Sequence, residues 1–167
     1  NTYEINIGKF ISAINPNTKN FREFPSKFEK MNIGKNEIIA MYCTGGIRCE
    51  KAAGYLNQKG YKNVYQLRGG IINYLEKHKN QKNLPWMGEC FVFDNRVTVN
   101  AKLLKGKYLQ CYGCRRPITK KDTLSSKYLK GICCPHCFCE RTIKQKKNSE
   151  MRQKQIEAAM KKQSSSL

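Results

Sequence analysis

No stretch of this chain approaches the roughly 18 consecutive apolar residues that a membrane-spanning helix requires, and no signal-peptide pattern opens it. Neither a membrane span nor a secretory route is therefore expected. Histidine is nearly absent: His78 and His136 are the only two in 167 residues. His136 also lies inside a run of cysteines, which leaves the two-histidine, one-carboxylate set of a non-haem iron oxygenase without its parts. No dinucleotide-binding glycine fingerprint and no internal repeat occur. Acidic residues are scarce, 12 against 32 lysines and arginines, for a formal charge of +20. Residues 1–100 carry 15 basic and 8 acidic side chains, whereas the shorter segment 101–167 carries 17 and 4. Charge concentrated in this way favours a polyanionic partner, nucleic acid above all, over the plainer alternative of solvated lysines.

Cysteine, by contrast, is abundant. Nine cysteines without a secretory signal read as reduced thiols with chemical or metal duties in a cytosolic compartment. They fall into three groups: Cys43 with Cys49, Cys90 alone, and six from Cys111 to Cys139.

Hydrophobic spacing gives the order of elements. Phe21, Phe24, Phe28 and Met31 predict a helix within 18–30 capped by Thr18, with Pro25 limiting its start. Glu37 to Tyr42 predicts a short strand buried in a parallel sheet. Cys49 to Lys59 predicts a helix with Ala52, Ala53 and Leu56 on one face and Gly60 as its stop. A strand over 63–67 follows, then a Gly69-Gly70 turn into a helix over 71–79. Strand, helix, strand, helix with such connections implies an α/β parallel sheet with flanking helices. Beyond Pro85, residues 90–93 and 96–99 predict a hairpin about Asp94-Asn95. From Glu140 the chain is polar and helix-prone, with sparse apolar points at Ile143, Met151, Ile156 and Met160, and Ser-Ser-Ser-Leu at its end is expected to fray. The organisation read from this is 1–80 as the α/β domain, 81–100 as a connecting hairpin, 101–140 as a cysteine-rich module and 141–167 as a basic, partly helical tail.

The loop Cys43-Thr44-Gly45-Gly46-Ile47-Arg48 lies at the carboxyl end of the first predicted parallel strand, where open α/β sheets bind ligands. Gly45 and Gly46 let the backbone curl into a nest of N–H groups, the following helix points its positive end at the same place, and Arg48 adds a cation. Each favours thiolate over thiol, so Cys43 is the candidate nucleophile. The plainer alternative is a thiol that only packs at a strand end. Cys49 is expected to be structural, with a resolving role as the alternative.

Strand, Cys-x4-Arg loop and helix resemble a rhodanese domain, and Gly69-Gly70-Ile71 matches the glycine turn after that domain's next strand. Cysteine phosphatases of related fold use a loop one residue longer. Residues 42–51, Gly88-Glu-Cys-Phe-Val-Phe-Asp94, Cys111-Tyr-Gly-Cys-Arg-Arg-Pro117 and Cys134-Pro-His-Cys137 together resemble the rhodanese-domain tRNA uridine hydroxylases. Asn15-Pro16 and Phe21-Arg-Glu-Phe-Pro25 fit the same pattern, so the resemblance covers nearly the whole chain. It implies oxygen-dependent 5-hydroxylation of the wobble uridine of tRNA, with molecular oxygen as co-substrate and Cys43 at the position of the essential cysteine. That family also has an N-terminal domain and a strand ahead of the position of Asn1, so the chain is expected to be the C-terminal part of such an enzyme. Two other functions remain open from the residues: a sulfurtransferase working through a Cys43 persulfide, and a non-catalytic RNA-binding module.

Cys111-x2-Cys114 and Cys134-x2-Cys137 are separated by 19 residues, the spacing of a zinc ribbon. Cys133 and Cys139 compete for the register, and metal-free thiols are the alternative. A segment this poor in apolar residues needs some staple. Arg115, Arg116, Lys120 and Lys121 lie between the knuckles near Tyr112 and Tyr128, a combination suited to pairing phosphates and stacking on unpaired bases of tRNA.

Overall fold

The computed structural model describes residues 1–164. It divides into two compact units, residues 1–106 and the segment beginning at Lys107. The first begins with one helical turn, α1 (Thr2–Ile5), and a short strand, β1 (Gly8–Phe10). Pro25 decides where the next helix starts. With no N–H to give, it is tolerated only in a first turn, and α2 (Phe24–Glu29) accordingly carries it there. The expected helix over 18–30 is thus shorter. A 3-10 turn, Phe21–Glu23, precedes it, and the cap is Asn20, whose side chain accepts the Arg22 N–H. Thr18 instead is buried, its carbonyl accepting from Thr2 at 2.8 Å.

The expected alternation follows: β2 (Ile38–Met41), α3 (Ile47–Gln58), β3 (Asn63–Gln66) and α4 (Gly70–His78). β2 and β3 pair in parallel with Ile38 opposite Asn63 and Met41 opposite Gln66. Among the described residues this is the one parallel pair, and it is not buried on both faces as expected. Ile39 points into the core while Ile38 is 76% exposed, because covering side chains meet only one face. α3 begins two residues before the expected Cys49, since left-handed Gly46 supplies its cap. It buries Cys49, Ala52 and Leu56 in one stripe, and Gly60 ends it as expected.

The chain then returns through β4 (Trp86–Gly88), which pairs antiparallel with β1, Phe10 opposite Trp86. A small hairpin closes the unit, β5 (Cys90–Phe91) against β6 (Thr98–Val99), shorter than expected because residues 92–97 form its turn. Ile71, Leu75, Trp86, Cys90, Val92 and Val99 make one core, so residues 81–100 pack within this unit. Phe10 meets Tyr42, Tyr74 and Trp86 edge-on at about 5 Å from each ring. Phe28, Ile39 and Leu56 form a second core. Burying a leucine as fully as Leu56 or Leu75 stabilises the unit by about 2–3 kcal/mol.

The second unit has little regular structure before its last helix. β7 (Leu109–Gln110) and β8 (Pro117–Ile118) pair antiparallel, Lys121–Leu124 is a 3-10 turn, and α5 (Ile143–Ser164) completes it. Its core is mostly sulfur: Cys111, Cys133, Cys134 and Cys137 around Ile118. α5 has no apolar stripe, with Ile143, Met151, Ile156 and Met160 all exposed. Arginines tie it down instead. Arg141 donates to the Gly113 carbonyl and to Ser149 Oγ, and Arg152 donates to the carbonyls of Tyr112 and Gly131. The expected fraying of the final residues falls largely on 165–167, outside the described residues. No described helix is long and apolar enough to cross a membrane.

One contact fixes the Cys43 loop on this frame. The N–H groups of Ile71 and Ile72 donate to the carbonyls of Cys43 and Thr44 at 2.9 and 3.2 Å. Gly70 sits between them at φ +67°, and a Cβ there would lie 2.5 Å from both oxygens. Gly70→Ala is therefore expected to cost about 2–4 kcal/mol, combining a left-handed L-residue with overpacking. This would be read as a lower urea midpoint at constant m-value; an unchanged midpoint would contradict so close an approach.

Candidate active site

Because the carbonyls of Cys43 and Thr44 face α4, the N–H groups that follow are free to turn toward Cys43 Sγ. The Cys49 thiol donates to that sulfur and has the largest effect on its ionisation. The N–H groups of Cys49, Arg48 and Gly46 add to it, the last at 3.1 Å. Partial burial opposes them, yet the Cys43 pKa is drawn down to about 5. Cys49, which is buried and supplies the proton, is pushed far above the ordinary thiol range by its bond to Cys43. Cys90 makes the contrast: burial pushes it up to about 12. The N–H donors expected around the Cys43 sulfur are thus in place, and Cys49 contributes more to them than a packing role.

The Arg48 guanidinium is placed differently from the sequence argument. It grips Glu4 with both arms, Nη1 to Oε2 at 2.6 Å and Nη2 to Oε1 at 2.9 Å, and Nη2 also reaches Thr44 Oγ1 at 3.3 Å. Burial is the largest influence on the Glu4 carboxyl and would raise it, but Arg48 and the Asn1 amino group together outweigh it and the net shift is downward. Arg48 therefore reaches the thiolate chiefly through its backbone N–H, while its side chain braces the loop against α1. Glu4 is the functional residue that sequence reading missed, since no local pattern links two residues 44 apart. Thr44 donates to the Phe91 carbonyl at 3.0 Å, a second brace. Ile47 is 69% exposed, so this loop member offers backbone rather than side chain. Gly45 has open space around it. A cavity of about 670 Å³ opens behind the loop, and Cys43, Cys49, Cys90, Trp86 and Phe91 are among its lining residues.

In the second unit the four sulfurs of Cys111, Cys114, Cys134 and Cys137 all lie within 4.8 Å of one another. Cys111–Cys137, Cys114–Cys134 and Cys134–Cys137 are separated by 4.0, 3.9 and 3.8 Å. A tetrahedron with metal–sulfur bonds of about 2.3 Å has edges of about 3.8 Å, so the set can hold a metal ion. The Cys134 N–H donates to Cys137 Sγ, as a ligand knuckle requires. Cys133 instead turns its thiol to the Lys127 carbonyl, and Cys139 is exposed. His136 faces Asp122 rather than the sulfurs, and His78 bonds the Tyr74 carbonyl.

Of the basic residues between the knuckles, Arg115, Lys120 and Lys121 are exposed. The Arg115 guanidinium lies over the Tyr112 ring at 5.5 Å. Arg116 is committed elsewhere, to Glu140 at 2.7 Å.

These arrangements predict a pH profile. Alkylation of Cys43 by iodoacetamide rises with pH as the thiolate forms, so it should reach half-maximum near pH 5 and be flat through neutrality, while Cys90 stays unreactive. Cys49→Ala removes a hydrogen bond to a charged sulfur, which raises that midpoint by at least about one unit. A midpoint unmoved by Cys49→Ala would mean the backbone N–H groups suffice alone.

Comparison with known proteins agrees with this geometry. Residues 3–77 match the family model of the rhodanese-like domain. The chain is also 52% identical over 159 residues, 95% of its length, to the tRNA uridine(34) hydroxylase of Pelagibacter ubique (strain HTCC1062), and it spans about half (52%) of that relative's length. The chain is thus similar to a rhodanese-like domain over the segment that holds the Cys43 loop, and its similarity to the tRNA uridine(34) hydroxylase continues through the cysteine-rich module.

Proposed function

We propose that this chain carries the thiolate centre of an enzyme that hydroxylates the wobble uridine of tRNA at C5, with molecular oxygen as co-substrate. The observation that carries the reading is the Cys43 sulfur, ionised at neutral pH inside a cradle of N–H donors, in a chain like the hydroxylase over nearly its whole length. Cys43 serves as the reactive thiolate. The loop Thr44 to Arg48 holds negative charge at the site, and Glu4 keeps Arg48 and hence the loop in place. β2 and β3 belong, on this reading, to a rhodanese-type parallel sheet with flanking helices. The four-cysteine site takes zinc, which supplies structure: it cross-links two knuckles in a unit whose core is largely those same sulfurs. Arg115, Lys120 and Lys121 contact tRNA phosphates, with Arg116 in a lesser part because Glu140 already pairs it. The enzyme works in the cytoplasm, where tRNA and reduced thiols coexist.

About one zinc per chain should copurify, and Cys134→Ser should release it. Limited proteolysis should then cut within residues 107–164 while leaving 1–106 protected. A metal-free preparation with unaltered resistance would refute the zinc assignment.

Function is tested by mass analysis of tRNA nucleosides from cells lacking the full-length protein, before and after complementation. The wild type should restore 5-hydroxyuridine, and Cys43→Ser should restore none while binding tRNA normally. Neutralising Arg115, Lys120 and Lys121 together should weaken tRNA binding and lower its salt slope by about two to three, because fewer counterions are released. Turnover of thiosulfate and cyanide without any nucleoside change would favour the sulfurtransferase alternative.

A further inference from the structure

Phe93 is a large apolar side chain left 72% exposed, beside the Cys43 loop and outside any core. A lone exposed aromatic is ordinary on a protein surface and needs no explanation. Two further features set this one apart. Its ring lies 5.7 Å from the Arg48 guanidinium and meets Phe91 edge-on at 5.0 Å, and Phe91 is the residue whose carbonyl anchors Thr44. It therefore stands against Arg48 of the loop and against Phe91, the residue that holds Thr44.

The turn that presents it is also strained. Val97 has φ +67°, a conformation that costs an L-residue about 1–2 kcal/mol and is a genuine outlier for a β-branched one. Around it the Thr98 N–H donates to the Arg96 carbonyl at 2.8 Å and the Val92 N–H to the Val97 carbonyl at 2.9 Å. Asp94 closes the tip, accepting from the Arg96 N–H at 2.9 Å and from its guanidinium at 2.6 Å. Four consecutive residues, 93–96, are exposed while Val92 and Val97 on either side are buried. A relaxed hairpin would not need a left-handed valine; the tight turn is what holds Phe93 out beside the loop. Backbone strain of this kind gathers where a side chain must be aimed.

We propose that Phe93 is a stacking platform for the nucleobase presented to Cys43. The inference rests on the proposed action on a tRNA uridine and goes further, naming the residue that receives the base. An enzyme that modifies a base must take it out of its stack, and single-stranded RNA bases are received on aromatic faces and arginine planes. Phe93 with Arg48 beside it offers both, and neither depends on which base is stacked. Phe93 thereby orients the ring over the loop, and the thiolate chemistry remains that of Cys43.

The test uses Phe93→Trp in the intact protein and two synthetic anticodon stem–loop RNAs, one with uridine at the wobble position and one abasic there. The chain's single tryptophan, Trp86, is buried, so the new indole reports on position 93. Saturating uridine RNA should quench its emission, the abasic RNA should quench it several-fold less, and wild-type emission should hardly change. In turnover, Phe93→Leu should raise KM for the RNA by about 5- to 150-fold, the range of one base–aromatic stack, with the larger effect on KM than on kcat. Phe93→Tyr, which keeps the ring, should recover most of that loss, and Cys43 alkylation should be the same in all variants. Equal quenching by both RNAs, or a wild-type KM in Phe93→Leu, would overturn the platform. Wild-type protein that binds uridine RNA with the expected quenching yet never hydroxylates it would leave the platform standing and remove the enzymatic reading.

Discussion

The N–H groups of Ile71 and Ile72 donate to the carbonyls of Cys43 and Thr44, and that pairing decides which way the Cys43 loop faces. A peptide unit that points its carbonyl at α4 cannot also point it at the sulfur. With two carbonyls taken, the succeeding N–H groups are available to Cys43, and a nest results. The pairing needs the start of α4 to come very close, which only a residue without Cβ permits, and Gly70 supplies it. Gly46 is required by its backbone instead: at φ +96° it caps α3, and a Cβ there would meet Gly69 and Gly70 only at ordinary contact distances. Gly46 thus curls the loop, while Gly70 lets the start of α4 converge on it.

Charge is distributed around this nest in a way that composition does not reveal. The thiolate is held mainly by neutral donors, one S–H and three N–H groups, while the nearby arginine is neutralised by Glu4. Breaking a buried ion pair by removing one partner leaves a costly unpaired charge, so Glu4 and Arg48 act as one part that fixes the loop to α1. The second unit replaces packing in another way. Its centre is sulfur, and its long helix is held by arginines on knuckle carbonyls rather than by an apolar stripe. Ordering the knuckles therefore also orders the carbonyls on which α5 depends.

How much of this was legible in the sequence depends on the range over which each feature is encoded. The run from β2 to α4 was readable because its signals are local: apolar runs, a helical stripe ending at Gly60, and paired glycines before α4. β1 and β4 left no such trace, being three residues each and joined across the unit, Gly8 opposite Gly88. Pro25 gave its warning, but the side-chain cap is that of Asn20 on the preceding 3-10 turn, and α2 itself follows Glu23 without one. The strand at β2 read as buried on both faces because hydrophobicity alone does not say which face is covered, and Ile38 is exposed. At the site, Cys43 was legible from its loop. The Glu4 brace was not, and neither was the direction of the Cys49 thiol, because both are settled by tertiary placement. Spacing picked out the four cysteines whose sulfurs converge, whereas only geometry shows Cys133 and Cys139 turned elsewhere.

The low pKa of Cys43 raises a question of magnitude. Moving a thiol from about 9 to about 5 takes the thiolate at pH 7 from about 1% to about 99%, a gain of about 100-fold. Intrinsic nucleophilicity falls with basicity, with a Brønsted coefficient of about 0.4–0.5, so four units cost about 40- to 100-fold. The two effects nearly cancel, and attack on an electrophile is hardly faster than from an ordinary thiol. What the cradle does improve is departure, because a sulfur of lower pKa leaves faster. Such a balance suits a sulfur that leaves as readily as it attacks. It also explains why neutral donors suit the loop better than a free arginine. They stabilise the departing sulfur anion as well as the resting one, without adding a permanent cation for an anionic substrate to bind in its place.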